Sequence, residues 1–429
     1  MDTIFALATA RGKAGVAIVR LSGPQAHAAA GLIAGELPPA RRSAVRVLRS
    51  ADGAAFDQAL VLSFNAPHSF TGEDVVEFQV HGSAAVTSAL LDALAGQPGL
   101  RLAEPGEFTR RALENERLDL AQVEGLSDLI EAETEAQRRQ AYRVLSGDLG
   151  RLADGWRTGL IRAAALIEAA IDFADEEVPV DVSPEVLEIS VRVQQELDRE
   201  IVGSAVAERV REGFEVAIVG APNAGKSTLL NALAGRDAAI ISDVAGTTRD
   251  VLEVRMDLRG LAVTILDTAG LRESNDKVEK IGVGRALERA ETAELRIFLL
   301  EFEGQVLPVQ PRADDIIALG KADLNAGNGF AISGKTGLGL DTLIERVCST
   351  LEARASVVGT ATKERHRLAM LRARSALDDA SALVLRGPDS YDIAAEELRN
   401  AVRALDSLVG RVDVEQILDE IFASFCLGK

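Results

Sequence analysis

Gly220-Ala221-Pro222-Asn223-Ala224-Gly225-Lys226-Ser227 decides the fold, because it matches the pattern GxxxxGK[ST] in its working context. Before it runs Glu215-Val216-Ala217-Ile218-Val219, which has the apolar, β-branched character of a buried strand. After it, Thr228 to Ala234 reads as a helix. Strand, glycine-rich turn and helix, in that order, is the setting that separates a phosphate-binding loop from an accidental lysine. The glycines let backbone N–H groups point at phosphate oxygens, and the helix end adds its partial positive charge. Lys226 supplies a point charge to the outer phosphates, while the Ser227 hydroxyl can ligate Mg²⁺.

Further along, Asp267-Thr268-Ala269-Gly270 closes a strand predicted over Ala262 to Leu266. An Asp at a strand end can hold Mg²⁺ through water, and a flexible Gly can offer its N–H to a γ-phosphate. Between the two motifs lies Ala245-Gly246-Thr247-Thr248-Arg249-Asp250, where a threonine can complete the Mg²⁺ shell. Gly320-Lys321-Ala322-Asp323 follows a strand predicted over Asp315 to Leu319 and resembles the guanine-reading motif NKxD. Asp323 can accept from guanine N1 and N2, which adenine does not offer, and the Lys321 stem can cover the base. Position 320 is Gly where that motif has Asn, so one polar contact is missing. Ser333-Gly334-Lys335 resembles the loop that lies on the other side of the base. The set favours GTP over ATP, and with it nucleoside-triphosphate hydrolysis coupled to a switch. Where Ras-like enzymes carry a water-orienting glutamine, this chain has Leu271. An apolar side chain cannot do that work, so another group must, with Glu273, Glu279, Arg249 and Arg272 the neighbours to consider.

Composition sets the frame around these motifs. A chain of 429 residues corresponds to two or three domains. Hydrophobic residues at 47% and charged residues at 26% give every domain enough material for a core. Acids outnumber bases 66 to 47, a formal charge of −19, which repels nucleic acid and anionic membrane at long range. Contact with RNA therefore needs a local basic patch or a basic partner. Basic clusters stand at Arg110-Arg111, Arg138-Arg139-Arg143 and Lys363 to Arg367, each read first as a solvated helix face and otherwise as a share of a tRNA surface. The cysteines are Cys348 and Cys426 and the histidines His27, His68, His81 and His366, which excludes a disulfide framework and a Cys-rich zinc site. The start lacks a basic n-region, and no apolar run reaches the roughly 18 residues a membrane span needs. The expectation is a soluble, cytoplasmic protein with no membrane association.

Reading outward for organisation, Val16 to Leu21, Ala59 to Phe64 and Val75 to Val80 are predicted strands, with a helix over Ser83 to Ala95. From Leu118 the period turns helical, with Leu120, Val123, Leu126 and Ile130 on one face and Leu149 to Ile171 stepping by three and four. Asp172 to Pro184, acidic and with two prolines, reads as a loop before an amphipathic stretch over Glu185 to Val210. Residues 211–353 alternate strand and helix signals, the pattern of a mainly parallel sheet. Afterwards the helical period returns, with a stripe of Leu398, Val402, Leu405 and Val409 and another from Val414 to Phe425.

Taken together the residues resemble one family closely, the tRNA-modification GTPases called MnmE or TrmE. The resemblance rests on Gly15-Val16-Ala17-Ile18-Val19-Arg20, Ser69-Phe70-Thr71-Gly72-Glu73-Asp74, Pro105 to Ala112, Leu118-Asp119-Leu120-Ala121-Gln122, the G motifs, and the terminal Phe425-Cys426-Leu427-Gly428-Lys429. It covers nearly the whole chain. It implies an α/β and α architecture with four segments: residues 1–117, an N-terminal α/β dimerisation and folate-binding domain; 118–210, the first part of a helical domain; 211–353, an inserted P-loop G domain; and 354–429, the second part of the helical domain. The resemblance also implies a K⁺-activated GTPase, working as a homodimer with an FAD-dependent MnmG-type partner in a hetero-oligomer such as a heterotetramer. That assembly modifies C5 of the wobble uridine of certain tRNAs with a carboxymethylaminomethyl group, its carbon coming from a tetrahydrofolate derivative in the formyl or methylene form.

By position, the resemblance puts Asn223, Ser242, Val244 and Thr247 around K⁺, Ser227 and Thr248 around Mg²⁺, and Glu279 behind the attacking water. Glu279, Lys226 and Thr248 are then the catalytic set. GTP contacts extend over Asn223, Ala224, Gly225, Lys226, Ser227, Thr228, Ser242, Thr247, Thr248, Asp267, Thr268, Ala269, Gly270, Lys321, Asp323, Ser333, Gly334 and Lys335. Folate falls to Arg20, Glu77, Arg117 and Lys429, with Glu77 suited to the pterin N–H groups and the cations to a glutamate tail. The family usually has Lys at position 117, where Arg keeps the charge and alters the geometry. Cys426 stands where the family has its C-terminal cysteine, as a reactive thiol or an inert one. A prenylation signal does not fit a terminus ending in Gly428 and Lys429. Departures gather late in the G domain, where Glu301 to Asp314 is too short and proline-broken for a full helix and Asp323 to Ser333 is also short. Together with Gly320 they favour an alternative, a folate-binding scaffold with a degenerate, weakly hydrolysing G domain. A ribosome-assembly GTPase would explain the G motifs but neither the N-terminal domain nor the CLGK end.

Overall fold

The computed structural model describes residues 2–172, 181–221, 223–235, 253–267, 290–307, 309–324, 329–355, 359–412, 422 and 428. Two compact units emerge, Met1–Ser127 with Asp406–Lys429, and Asp128–Leu405.

The first unit is built on a six-stranded sheet in the order β3-β4-β5-β2-β1-β6. Its strands are β1 (Thr3–Leu7), β2 (Ala17–Ser22), β3 (Ser43–Arg49), β4 (Ala55–Phe64), β5 (Val75–Val80) and β6 (Leu100–Leu102). The expected strands are present, with β4 starting four residues earlier than its apolar run because Ala55 to Gln58 pair with the edge strand β3. All pairings are antiparallel except β1 with β6. Alternate residues Val19, Leu21, Val61, Val76, Phe78 and Val80 turn inward, and helices α1 (Ala26–Ala34) and α2 (Ala84–Ala95) cover them. Ser83 caps α2 by accepting from Val86 N at 3.2 Å.

Helix α3 (Glu107–Glu114) begins after Gly106, whose φ of 69° is left-handed. A Cβ there would lie 2.9 Å from the Phe422 ring, so only glycine fits between the turn and the C-terminal segment. Gly428 repeats the device, because a Cβ on it would stand 2.3 Å from the Leu7 carbonyl oxygen. The penultimate residue of the chain therefore lies against β1. Of the stripe expected over Val414 to Phe425, Phe422 is described and fully buried; the rest lies outside the described residues.

In the second unit, helices α5 (Glu135–Leu145), α6 (Asp148–Asp172) and α7 (Ser183–Glu212) follow α4 (Leu120–Glu131), whose last residues belong to this unit. The five-stranded sheet then runs β11-β10-β7-β9-β8. Its members are β7 (Phe214–Gly220), β8 (Glu253–Leu258), β9 (Leu261–Asp267), β10 (Leu295–Leu300) and β11 (Ile316–Leu319), parallel throughout apart from the edge strand β8. Helix α8 (Lys226–Ala234) follows β7, and α9 (Leu340–Arg354), α10 (Glu364–Arg386) and α11 (Tyr391–Val409) come later. Trp156 on α6 is 1% exposed and donates from Nε1 to Glu196 on α7 at 2.7 Å. Among the described residues, no helix is long and apolar enough to cross a membrane.

Two local expectations change. Of the loop expected over Asp172 to Pro184, Asp172 ends α6 and Ser183 and Pro184 begin α7, since proline in the first turn forfeits no intrahelical bond and brings its φ ready set. Residues 173–180 lie outside the described residues. Asp315, expected to open β11, precedes it and anchors the shortened crossover. It pairs with Arg296 Nη2 at 2.5 Å and accepts from Arg312 N at 2.6 Å, with both ion-pair side chains nearly inaccessible.

Near α3 an ionic network replaces one expected basic patch. Arg111, only 9% exposed, pairs with Asp2, Glu73 and Glu107. Burial alone would raise the Glu107 carboxyl, but hydrogen bonds from Arg101, the Glu104 N–H and Arg111 outweigh it and hold Glu107 below its ordinary 4.5. A carboxylate with a depressed folded pKa stabilises the fold above its unfolded value and loses that contribution as pH falls. Urea midpoints for this unit should therefore fall as pH drops below 4.5, and Glu107→Gln should flatten that slope while lowering the neutral-pH midpoint.

Candidate functional site

Strand β7 lies between β9 and β10, so the chain leaves its carboxyl end at the point where the sheet order reverses. Crevices of open parallel sheets form there. Gly220 ends β7 with its Cα against the neighbouring strand, where a Cβ would be 2.5 Å from the Leu299 carbonyl oxygen. Asn223 at φ 69° and Gly225 at φ 99° then turn the backbone left-handed into α8. Lys226 opens the helix and folds back over the loop, its ammonium donating to the Gly220 carbonyl at 2.8 Å and the Ala221 carbonyl at 2.9 Å. It is only 5% exposed. Burial pushes its pKa down, and the charges of Asp267 and Glu301 push back.

The next residue joins the loop to β9. Ser227 Oγ donates to Asp267 Oδ2 at 2.7 Å, and Asp267 is 2% exposed at the end of its strand. A hydroxyl beside a carboxylate offers the hard oxygen donors that Mg²⁺ takes. No described cluster of three or more His, Cys, Asp or Glu offers an alternative metal site.

The residues expected from sequence to read a base gather beside this loop. Gly320 N donates to the Leu300 carbonyl at 2.7 Å, and Ala322 N to that of Ile332 at 3.1 Å. Asp323 Oδ1 accepts from Ser333 Oγ at 2.7 Å, and that bond holds the exposed Asp323 carboxyl below its ordinary range, with Lys335 adding to the effect. Lys321, at φ 55°, reaches Glu301 Oε1 at 3.3 Å. Gly334 rests on the first turn of α8, where a Cβ would come within 2.8 Å of the Thr228 and Leu229 backbone. The 333–335 segment and the first turn of the helix after the glycine-rich loop thus touch through backbone.

Among the expected residues, Asn223, Ala224, Gly225, Lys226, Ser227, Thr228, Asp267, Lys321, Asp323, Ser333, Gly334 and Lys335 fall around this crevice. Ser242, Val244, Thr247, Thr248, Thr268, Ala269, Gly270, Glu279, Cys426 and Lys429 lie outside the described residues. Glu301 was not singled out from sequence. Its signal was an acid directly after a strand that neighbours the phosphate-loop strand.

A second constellation sits in the first unit. Arg20 on β2 faces Glu77 on β5 in register, with Nε 2.8 Å from Oε1. The guanidinium lies between two rings, 5.4 Å from Phe70 and 5.7 Å from Phe108. Arg117 is exposed, and its stem runs beside Gly72, where a Cβ would be 3.3 Å from Arg117 Cγ. Gly428 lies against Leu7 of β1, the strand that pairs with β2 through Ala6 and Arg20.

The basic clusters carry less free charge than their sequence promises. Arg138 and Arg139 share Glu135, each at 2.7 Å. Lys363 pairs with Asp128 at 2.8 Å, and Arg367 with Glu364.

Comparison with known proteins bears on the whole chain. The family described as "GTP-binding protein TrmE N-terminus" matches residues 3–117, and the family described as "MnmE helical domain" matches residues 120–426. A "tRNA modification GTPase MnmE" from Roseobacter denitrificans is 63% identical over 429 residues, covering 100% of both chains. Proteins of the same name from Ruegeria pomeroyi and Cereibacter sphaeroides are 62% and 61% identical, again over 100% of both chains.

The backbone contact at Gly334 yields a test. Gly334→Ala should lift the 333–335 loop from α8 and destabilise the second unit by about 1–3 kcal/mol, as overpacking does, measured as a lowered urea midpoint.

Proposed function

The chain belongs to the MnmE family of tRNA modification GTPases, and on that premise we propose that it is a K⁺-activated switch GTPase that drives wobble-uridine modification of certain tRNAs. The observation that carries this reading is the joined crevice of Lys226, Ser227 and Asp267 on one side and Lys321, Asp323 and Ser333 on the other. Lys226 meets the outer phosphates of GTP, and the carboxylate of Asp323 accepts from the guanine edge. Ser227, with Thr248, holds Mg²⁺, and Asp267 keeps the Ser227 hydroxyl turned toward it. When bound, the metal neutralises charge that develops on the phosphate oxygens.

Leu271 leaves the attacking water without a glutamine, and Glu279 takes that work. Asn223, Ser242, Val244 and Thr247 hold K⁺, whose charge serves where other GTPases use an arginine. The left-handed turn at Asn223 supports this assignment, since it exposes a loop residue at the lip of the crevice instead of burying it in the helix. Loops that depend on a γ-phosphate for order give hydrolysis a mechanical consequence.

The first unit supplies the carbon. Arg20, Glu77, Arg117 and Lys429 take a tetrahydrofolate derivative, formyl or methylene, with Glu77 at the pterin N–H groups. The two phenyl rings flanking Arg20 and the approach of Gly428 to β1 support that set. Segments 1–117, 118–210, 211–353 and 354–429 then serve as folate-binding dimerisation domain, first helical part, G domain and second helical part. The protein works in the cytoplasm as a homodimer and joins an FAD-dependent MnmG-type partner. With a net charge of −19, and with Arg138 and Arg139 sharing Glu135, it leaves much of the tRNA contact to that partner. Cys426 stands at the chain end where it can join the chemistry.

Steady-state GTP hydrolysis in KCl and in NaCl of equal ionic strength tests this reading. Turnover should be at least about tenfold faster in K⁺, and Glu279→Ala should remove about two or more orders of magnitude, the weight of a water-positioning group. Equal, negligible turnover in both salts with folate still bound would favour the scaffold alternative, to which the Gly at position 320 also points.

A further inference from the structure

Strands β10 and β11 run parallel with Leu300 beside Leu319, so the residues that follow each strand leave the sheet side by side. Glu301 follows β10; Gly320 and Lys321 follow β11. Gly320 N donates to the Leu300 carbonyl at 2.7 Å, and Lys321 Nζ stands 3.3 Å from Glu301 Oε1. In the NKxD pattern an asparagine would occupy position 320. Here position 320 is closely packed: a Cβ on Gly320 would lie 2.7 Å from the Ala224 carbonyl oxygen of the glycine-rich loop and 3.2 Å from the Leu299 side chain. A backbone carbonyl in a packed loop cannot yield as a side-chain tip can, so the site as folded excludes a larger residue.

We propose that Glu301 is a positioning residue for the nucleotide base, its carboxylate holding Lys321 so that the lysine stem lies ready to cover the ring, a task that position 320 cannot share. The proposal rests on the reading of this crevice as a guanine-nucleotide site. A lysine stem loses rotamer freedom when it is fixed, and a partner that restrains it before binding lowers the ordering cost of the complex. Lys321 is held further by its own left-handed backbone at φ 55°, which fixes where the stem starts. The two side chains are 39% and 34% exposed, so their bond is modest in strength and its value lies in direction. Glu301 also carries a negative charge toward a site built for phosphates. If that repulsion were its main effect, removing the charge would tighten nucleotide binding; if positioning is, removing it loosens binding.

The opposite signs make the test direct. In the full-length protein, GDP affinity by calorimetry and GTP hydrolysis kinetics are compared for wild type, Glu301→Gln, Glu301→Asp and Gly320→Asn. For Glu301→Gln, the GDP Kd and the GTP KM should rise together about fivefold, the size of one part-exposed ion pair, with kcat and the thermal midpoint unchanged. Glu301→Asp keeps the charge and should fall between wild type and the glutamine variant. Gly320→Asn should weaken GDP, because its Cβ displaces the Ala224 carbonyl. Unchanged or tighter GDP binding by Glu301→Gln, or a parallel fall in kcat, would overturn the assignment, as would tighter binding by Gly320→Asn. Failure of the wild type itself to bind GDP would instead overturn the nucleotide-site reading on which the proposal stands.

Discussion

An ammonium buried at the end of a central strand organises the second unit. Lys226 is 5% exposed and bonded to two carbonyls of its own loop. A charge so placed is costly unless paired or hydrogen-bonded, and the carbonyls of Gly220 and Ala221 meet that demand. Those bonds shape the loop before any ligand arrives. Around this centre the strands converge, β9 bringing Asp267 to Ser227 and β10 bringing Leu299 against Gly220.

Close backbone approach is the second constraint, and it acts where side chains are absent. Gly220, Gly320 and Gly334 each stand where a methyl group would meet a main-chain atom at under 3 Å. Read as letters, Gly320 looks like a lost asparagine. In the fold it is a place where the loop after β11 meets the glycine-rich loop directly, at the Ala224 carbonyl. The first unit uses the same economy at Gly106 and Gly428, which let the C-terminal segment lie against α3 and β1.

Much of this was legible in the residues because the decisive patterns are local. GxxxxGK[ST] between a strand and a helix, DTAG at a strand end and GKAD after another strand each announce their place within a few positions. What escaped is long-range. Pro184 read as a loop because proline breaks helices in general, and its role in starting α7 depends on where the first turn falls. Arg110-Arg111 read as a basic patch, yet Arg111 is enclosed by Asp2, Glu73 and Glu107, two of which are far away in sequence. Glu301 had no motif to mark it, because its meaning comes from a strand neighbour twenty residues later. Arg20 and Glu77 were named singly, through family resemblance, as folate positions; that they form an ion pair follows only from the register of β2 with β5.

The account stands on the claim that Lys226 turns a folded loop into a binding site for the phosphates of GTP. Calorimetric titration of GDP with Mg²⁺ into wild type and Lys226→Ala tests it directly, with the far-ultraviolet spectrum checking that both are folded. Loss of the charge-assisted contacts should weaken binding by at least roughly tenfold to a hundredfold. A folded Lys226→Ala protein that bound GDP as tightly as wild type would contradict the account.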